Sequence, residues 1–164
     1  MAKELRRRAL VTLPGDDQIL ITREFAAPRA LVYRAYTTPE LVARWWHADR
    51  GTIDSIEIDL RVGGQWRYAM TAHGGFPVVF HGEYLEIVPE ERIVSTEVFE
   101  GMPEAAATST VTFTDTAQGT TLAILVQHKN RANRDLHLHS GMEDGLQEAM
   151  DHLEEVAAQG SRDG

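Results

Sequence analysis

A chain of 164 residues, 43% of them hydrophobic, has the material for one globular domain with a sizeable core. Its net charge of −9, from 16 Lys and Arg against 25 Asp and Glu, repels phosphate backbones and argues against nucleic acid as the main partner. Cysteine is absent, which excludes disulfides, thiolate metal sites and cysteine nucleophiles and suits a cytoplasmic location.

No apolar run approaches the roughly 20 residues that cross a bilayer, and no signal-like apolar stretch follows the basic start "MAKELRRRAL", so membrane insertion is not expected. Arg6, Arg7 and Arg8 read as a solvated tip. An apolar, strand-like piece from Leu10 breaks at Pro14-Gly15-Asp16-Asp17, a turn signal. The β-branched run Ile19 to Phe25 then predicts a strand. "APRALVYRAYTTPELVARWW" predicts two short helices, with Pro28 and Pro39 at first helical positions and Thr38 as an N-cap. Leu31, Val32, Ala35 and Tyr36 form the apolar face of the first; Leu41, Val42 and Trp45 form that of the second. Neighbours on a helix point about 100° apart, so Trp45 and Trp46 cannot share a partner. The spacing sends Trp45 onto a sheet and Trp46 towards a cavity mouth.

From Ile53 to His128 the apolar pattern has a period of two, in six runs separated by turns such as "RVGGQ", "HGGFP" and "DTAQG". Six strands in such close succession predict an antiparallel sheet. Helical spacing returns with Leu138, Met142, Leu146, Ala149, Leu153 and Val156, which predicts one helix from Asn133 to Gln159 stopped by Gly160. The expected fold is α+β. A seven-stranded curved antiparallel sheet wraps a long C-terminal helix, and two short helices follow the first strand. One domain spans the chain, with its core at about residues 19–157. A helix stripe cannot fill such a wrap along its whole length, so a cavity is expected between sheet and helix.

Candidate wall residues follow from these periods. Trp66, Tyr68 and Met70 share one strand face, and Met142, Leu146 and Met150 would meet them from the long helix. Glu97 and Phe99 alternate with Ile93 and Ser95. If their face is the inner one, Glu97 is a buried polar handle with a raised pKa; if it is the outer one, Glu97 is merely wet. Trp46 joins the set as an apolar wall. The seven histidines lack metal-binding spacing; His137 and His139 diverge by about 200° on a helix, and no metal or cofactor is expected. His81 and His128 lie on strands, where each reads first as an ordinary satisfied histidine and second as a partner for Glu97 across the sheet. No Gly-x-Ser-x-Gly elbow or phosphate loop is present.

The segments "ITREFAAPRALVYRAYTTPELVARWW", "EIDLRVGGQWRY", "FHGEYLEIVPEERIVSTEVFE", "GTTLAI" and "HSGMEDGLQEAMDHLEEV" run in one order over about Ile19 to Val156. In this the chain resembles the helix-grip (START-like, Bet v 1-like, SRPBCC) superfamily, and within it bacterial proteins similar to the C-terminal domain of the activator of Hsp90 ATPase. Two positions depart from it: His47-Ala48 stands where members commonly carry Gly-Pro, and Gly145-Leu146 where many carry Gly-Trp. The fold hosts carriers, receptors, cyclases and a co-chaperone domain, so it does not settle function. The leading expectation is binding of a small, largely apolar or aromatic molecule in the cavity. The alternatives are a co-chaperone-like module that meets Hsp90, which rests on resemblance alone, and a cyclase-like or hydrolytic enzyme using Glu97. An exposed sheet edge and an acidic helix face also leave room for a homodimer.

Overall fold

The computed structural model describes residues 8–47, 49–140 and 142–163, with side chains described through residue 160. Arg6 and Arg7 of the basic tip and Ala48 of the departing His-Ala pair lie outside the described residues.

Eight antiparallel strands form one sheet in the order β1-β2-β8-β7-β6-β5-β4-β3. They are β1 (Leu10–Thr12), β2 (Gln18–Phe25), β3 (Gly51–Ile58), β4 (Gln65–Ala72), β5 (Pro77–Val88), β6 (Arg92–Phe99), β7 (Ala107–Thr116) and β8 (Gly119–Gln127). The expected count of seven is corrected to eight. The strand-like piece before Pro14 pairs its three residues with β2 in the register Leu10↔Thr22 to Thr12↔Leu20. A lone three-residue strand has too little surface to hold itself, and it exists by virtue of that edge. Bulges at Ile53/Ser55 and at Tyr84/Glu86 add local twist and help the open sheet coil. At the β3–β4 turn Gly63 has φ +85°, where any Cβ would be strained.

The two short helices are α1 (Arg29–Thr37) and α2 (Pro39–Trp45). Pro39 occupies the first helical turn as expected, whereas Pro28 stands one residue earlier, as the cap of α1. Thr38 caps α2 by position, but its side chain accepts no capping bond. Tyr33 and Tyr36 on α1 meet the ring of Phe113 edge-on at 5.4 and 5.8 Å and seat the helix on β7.

The single helix expected over Asn133 to Gln159 is corrected to two, α3 (Arg131–Leu138) and α4 (Met142–Asp163). The Ser140 hydroxyl and amide both donate to the His137 carbonyl, at 2.6 and 3.2 Å, which closes α3 in place of continuing it. Gly160 does not end α4. A Cβ there would come within 3.1 Å of Leu31 Cδ2, so the glycine serves a close approach to α1. The 22 residues of α4 span about 33 Å at 1.5 Å per residue.

The sheet curves around α4, which is held from both sides. On one flank Arg23 of β2, 3% exposed, donates to Asp151 at 2.9 Å and pairs with Glu154 at 3.4 Å, its guanidinium 4.5 Å from the Phe25 ring centre. The Gln147 side chain both accepts from and donates to the Ala9 backbone at 2.9 Å. On the other flank Asp49 takes a 2.7 Å bond from His152, and Arg50 reaches Glu148 at 3.4 Å. Between them Ile19, Ile21, Val111, Phe113, Leu122, Ile124 and Val126 close on Met150, Leu153 and Val156. Among the described residues no helix is long and apolar enough to cross a membrane.

α3 packs on β2, where buried Arg134 donates to the Gly15 and Gln18 carbonyls, and it meets the residue after β8 through two histidines. His128 Nε2 and His137 Nδ1 share a 3.0 Å hydrogen bond, and burial pushes the His137 imidazole down from 6.5 to about 4. The unfolded chain therefore takes up a proton below pH 6.5 that the native state refuses until about pH 4, and native stability falls across that window. Urea midpoints of wild type and His137→Gln, measured from pH 7 to 4, should show a shallower acid loss in the variant.

Candidate functional site

The inner face of the sheet divides in two. Over β2, β7, β8 and the start of β6 it is sealed against α4: Ile21, Ile93, Val111, Phe113, Leu122 and Ile124 are all buried. Over β4, β5 and the end of β6 the same face keeps accessible surface, at Tyr68, Phe80, Glu97 and Phe99. Register places these side chains together: Tyr68 is opposite Phe80, Phe80 is opposite Phe99, and Glu97 is opposite buried Ala107. Glu97 thus lies on the inner face, the first of its two expected orientations.

The paired tryptophans divide this region from the helix layer. Trp45, 5% exposed, donates from Nε1 to the Ala35 carbonyl at 2.9 Å and stacks on Tyr36 at 5.4 Å. Its ring and N–H partners both come from α1. Trp46 is the indole that reaches the sheet, edge-on to Tyr68 at 5.4 Å and to Phe80 at 6.0 Å. Once Trp45 takes the α1 side, the turn of about 100° sends its neighbour to the β4–β5 rings. Of the other expected wall residues, Met142 and Leu146 are half-buried on α4. Trp66, Met70 and Met150 are buried at 8%, 9% and 3%. Trp66 stands behind Tyr68 at 4.9 Å, its Nε1 close to Gly82 and without a hydrogen-bond partner among the described residues.

Glu97 combines two properties. Its side chain keeps accessible surface, so it is not embedded in packed core. Yet burial pushes its carboxyl up from 4.5 to about 7. A carboxyl that water reaches on one side and packed side chains cover on the other has both. Its strand neighbours are small, and the place of a side chain at Gly82 is taken by the Thr96 carbonyl and the Trp66 indole. Ala107 flanks Glu97 on β7, and on β5 the register runs to His81↔Val98 and resumes at Tyr84↔Ser95, with Gly82 in the interval. Burial foremost, with help from the Glu97 charge, also raises the hydroxyls of Tyr36 and Tyr68.

His81 and His128 are satisfied away from Glu97, the first of their two expected readings. His81 lies 2.9 Å from Glu100, which also takes the Arg67 guanidinium at 3.0 Å, and His128 is bonded to His137. The Glu97–histidine arrangement behind the enzyme reading is not assembled. Among the described residues no three His, Asp or Glu side chains form a metal-holding group. Two surface grooves of ≈ 620 and ≈ 680 Å³ lie outside the aromatic wall, the larger across the opposite face of β4–β6 with Arg67, His81 and Glu83 on its rim. Of the nine expected site residues, Trp66 alone borders it.

Tyr36 and Phe80 belong to this cluster, and the periodicity of the sequence did not single them out as site residues. Phe80 was within reach of such a reading, since it alternates correctly on its strand, but its place between Tyr68 and Phe99 follows from register alone. Tyr36 sits on the apolar face of α1, where it reads as core.

A family model described as "Activator of Hsp90 ATPase homolog 1-like protein" matches residues 26–158. No curated protein matches the chain. Among solved structures, a protein from Rhodobacter sphaeroides is 22% identical with a TM-score of 0.86, over 93% of this chain and 99% of that one, a likeness of fold alone. A protein from Nitrosomonas europaea is 26% identical at TM-score 0.81 (92% and 99% covered). One from Chromobacterium violaceum is 29% identical at 0.73 (87% and 98% covered). Matched over most of its length by the family model, and folded as a sheet curved around a long C-terminal helix, the chain belongs to the Activator of Hsp90 ATPase homolog 1-like family of helix-grip proteins.

Proposed function

We propose that this protein binds a small, largely apolar or aromatic molecule between the β4–β6 half of its sheet and the N-terminal half of α4. The helix-grip fold and the family are consistent with small-molecule binding. One observation carries the reading: among the described residues the inner face keeps accessible surface at Tyr68, Phe80, Glu97 and Phe99, while over β2, β7 and β8 it is sealed. Large apolar surface left accessible inside a fold forgoes about 25 cal/mol per Å² of burial, which an apolar guest would recover. Trp46, Tyr68, Met70, Phe99, Met142 and Leu146 supply the wall with Trp66 and Met150 behind them, and Glu97 supplies the polar contact.

Titration with fatty alcohols and fused-ring phenols tests this through tryptophan fluorescence. A saturable change is expected, lost in Trp46→Ala. An unresponsive emission across the whole set, with hydrogen exchange unchanged on β4–β6, would remove the proposal.

A further inference from the structure

The aromatic wall contains a charge that the protein itself does not balance. Burial is what raises the Glu97 carboxyl, and among the described residues no Arg, Lys or His lowers it. The cations on the neighbouring strands β4 and β5 are engaged on the outer face, Arg67 and His81 on Glu100. Among the described residues, no side chain hydrogen-bonds the Glu97 carboxylate. A half-buried carboxylate without a protein partner relies on water, and an apolar guest that displaces that water gives it nothing in exchange. A neutral guest leaves that penalty in place, and an anionic one deepens it.

The groups around it show what would relieve the charge. Phe99 follows on the same strand face, Phe80 lies 5.1 Å from Phe99, and Trp46 bridges Phe80 and Tyr68. Ring faces attract cations through their quadrupole, most strongly when water is excluded. A carboxylate set among such rings offers an ion pair on one side and cation–π contacts on the others. The net charge of −9 draws cations towards the molecule at long range.

Resting on the small-molecule reading above, we infer that the guest is an organic cation: a protonated or quaternary amine on an apolar or aromatic body, its charge held between Glu97 and the rings of Trp46, Tyr68, Phe80 and Phe99. No covalent step is involved.

The test uses the full chain with two probes of one shape, benzyltrimethylammonium and its neutral carbon isostere neopentylbenzene, by calorimetry and tryptophan fluorescence. The quaternary cation does not titrate, so any pH dependence reports on the protein. At pH 8 the cation should bind at least tenfold more tightly than the isostere. That preference should shrink towards unity at pH 5 and in Glu97→Gln at either pH. Equal or tighter binding of the isostere at pH 8, or a preference that survives Glu97→Gln, overturns the cation assignment and leaves the small-molecule reading standing. Silence of both probes while the fatty alcohols or phenols bind does the same. Silence of every compound overturns both.

Discussion

Glu97→Gln should stabilise the protein by up to about 3 kcal/mol at pH 8 and leave it unchanged below about pH 4.5. In the wild type, burial moves the carboxyl from 4.5 to about 7. Between those values the native state keeps a proton that the unfolded chain has released, so native stability falls as pH rises through the interval. Each pKa unit is worth about 1.4 kcal/mol, which makes the full penalty roughly 3 kcal/mol once Glu97 is ionised. The half-buried side chain keeps some water, so that figure is an upper bound. Glutamine retains shape and removes the charge. Urea unfolding of both proteins at pH 5 and pH 8 reads the difference directly. Parallel curves at the two pH values would mean that the carboxylate is well solvated and that the recess around it is open water. The penalty falls within the physiological range, and among the described residues no protein partner offsets it. A residue that costs stability where the protein works is explained by what it contacts there.

Trp45→Ala and Trp46→Ala should separate stability from binding. Trp45 is 5% exposed, stacked on Tyr36, and its indole satisfies the Ala35 carbonyl. Truncation leaves a cavity of ring size and an orphaned acceptor, at a cost of about 3–5 kcal/mol. Trp46 is half-buried and forms no hydrogen bond from its indole among the described residues. Its truncation should cost roughly 1–2 kcal/mol, in proportion to the smaller area buried, while removing the fluorescence response to ligand. Thermal unfolding beside ligand titration measures both quantities on the same samples. A reversed order, with Trp46→Ala the less stable, would place the structural keystone on the wrong indole.

Much of this was legible in the residues because local physics decides it. Pro39 stands at the start of a helix because its fixed φ suits the first turn. The alternation from Ile53 to His128 predicts strands, and short turns between them leave antiparallel pairing as the simple outcome. The break between α3 and α4 escaped the same reasoning. The apolar stripe runs through Leu138 and Met142 without a gap, and the Ser140 hydroxyl turns the backbone where periodicity sees only spacing. Gly160 reads as a helix stop until Leu31 is found against it.

The order of apolar and polar residues along the chain was enough to predict a curved antiparallel sheet, a long amphipathic helix and which side chains share a face, because those properties repeat within a few residues; the eighth strand was not among them. Three matters waited for tertiary structure: which side of α2 each tryptophan takes, that Phe80 stands between Tyr68 and Phe99, and that His81 and His128 turn away from Glu97 to other partners. Each depends on register and on the coil of the sheet, which bring together residues tens of positions apart through backbone pairing that no single stretch of sequence contains.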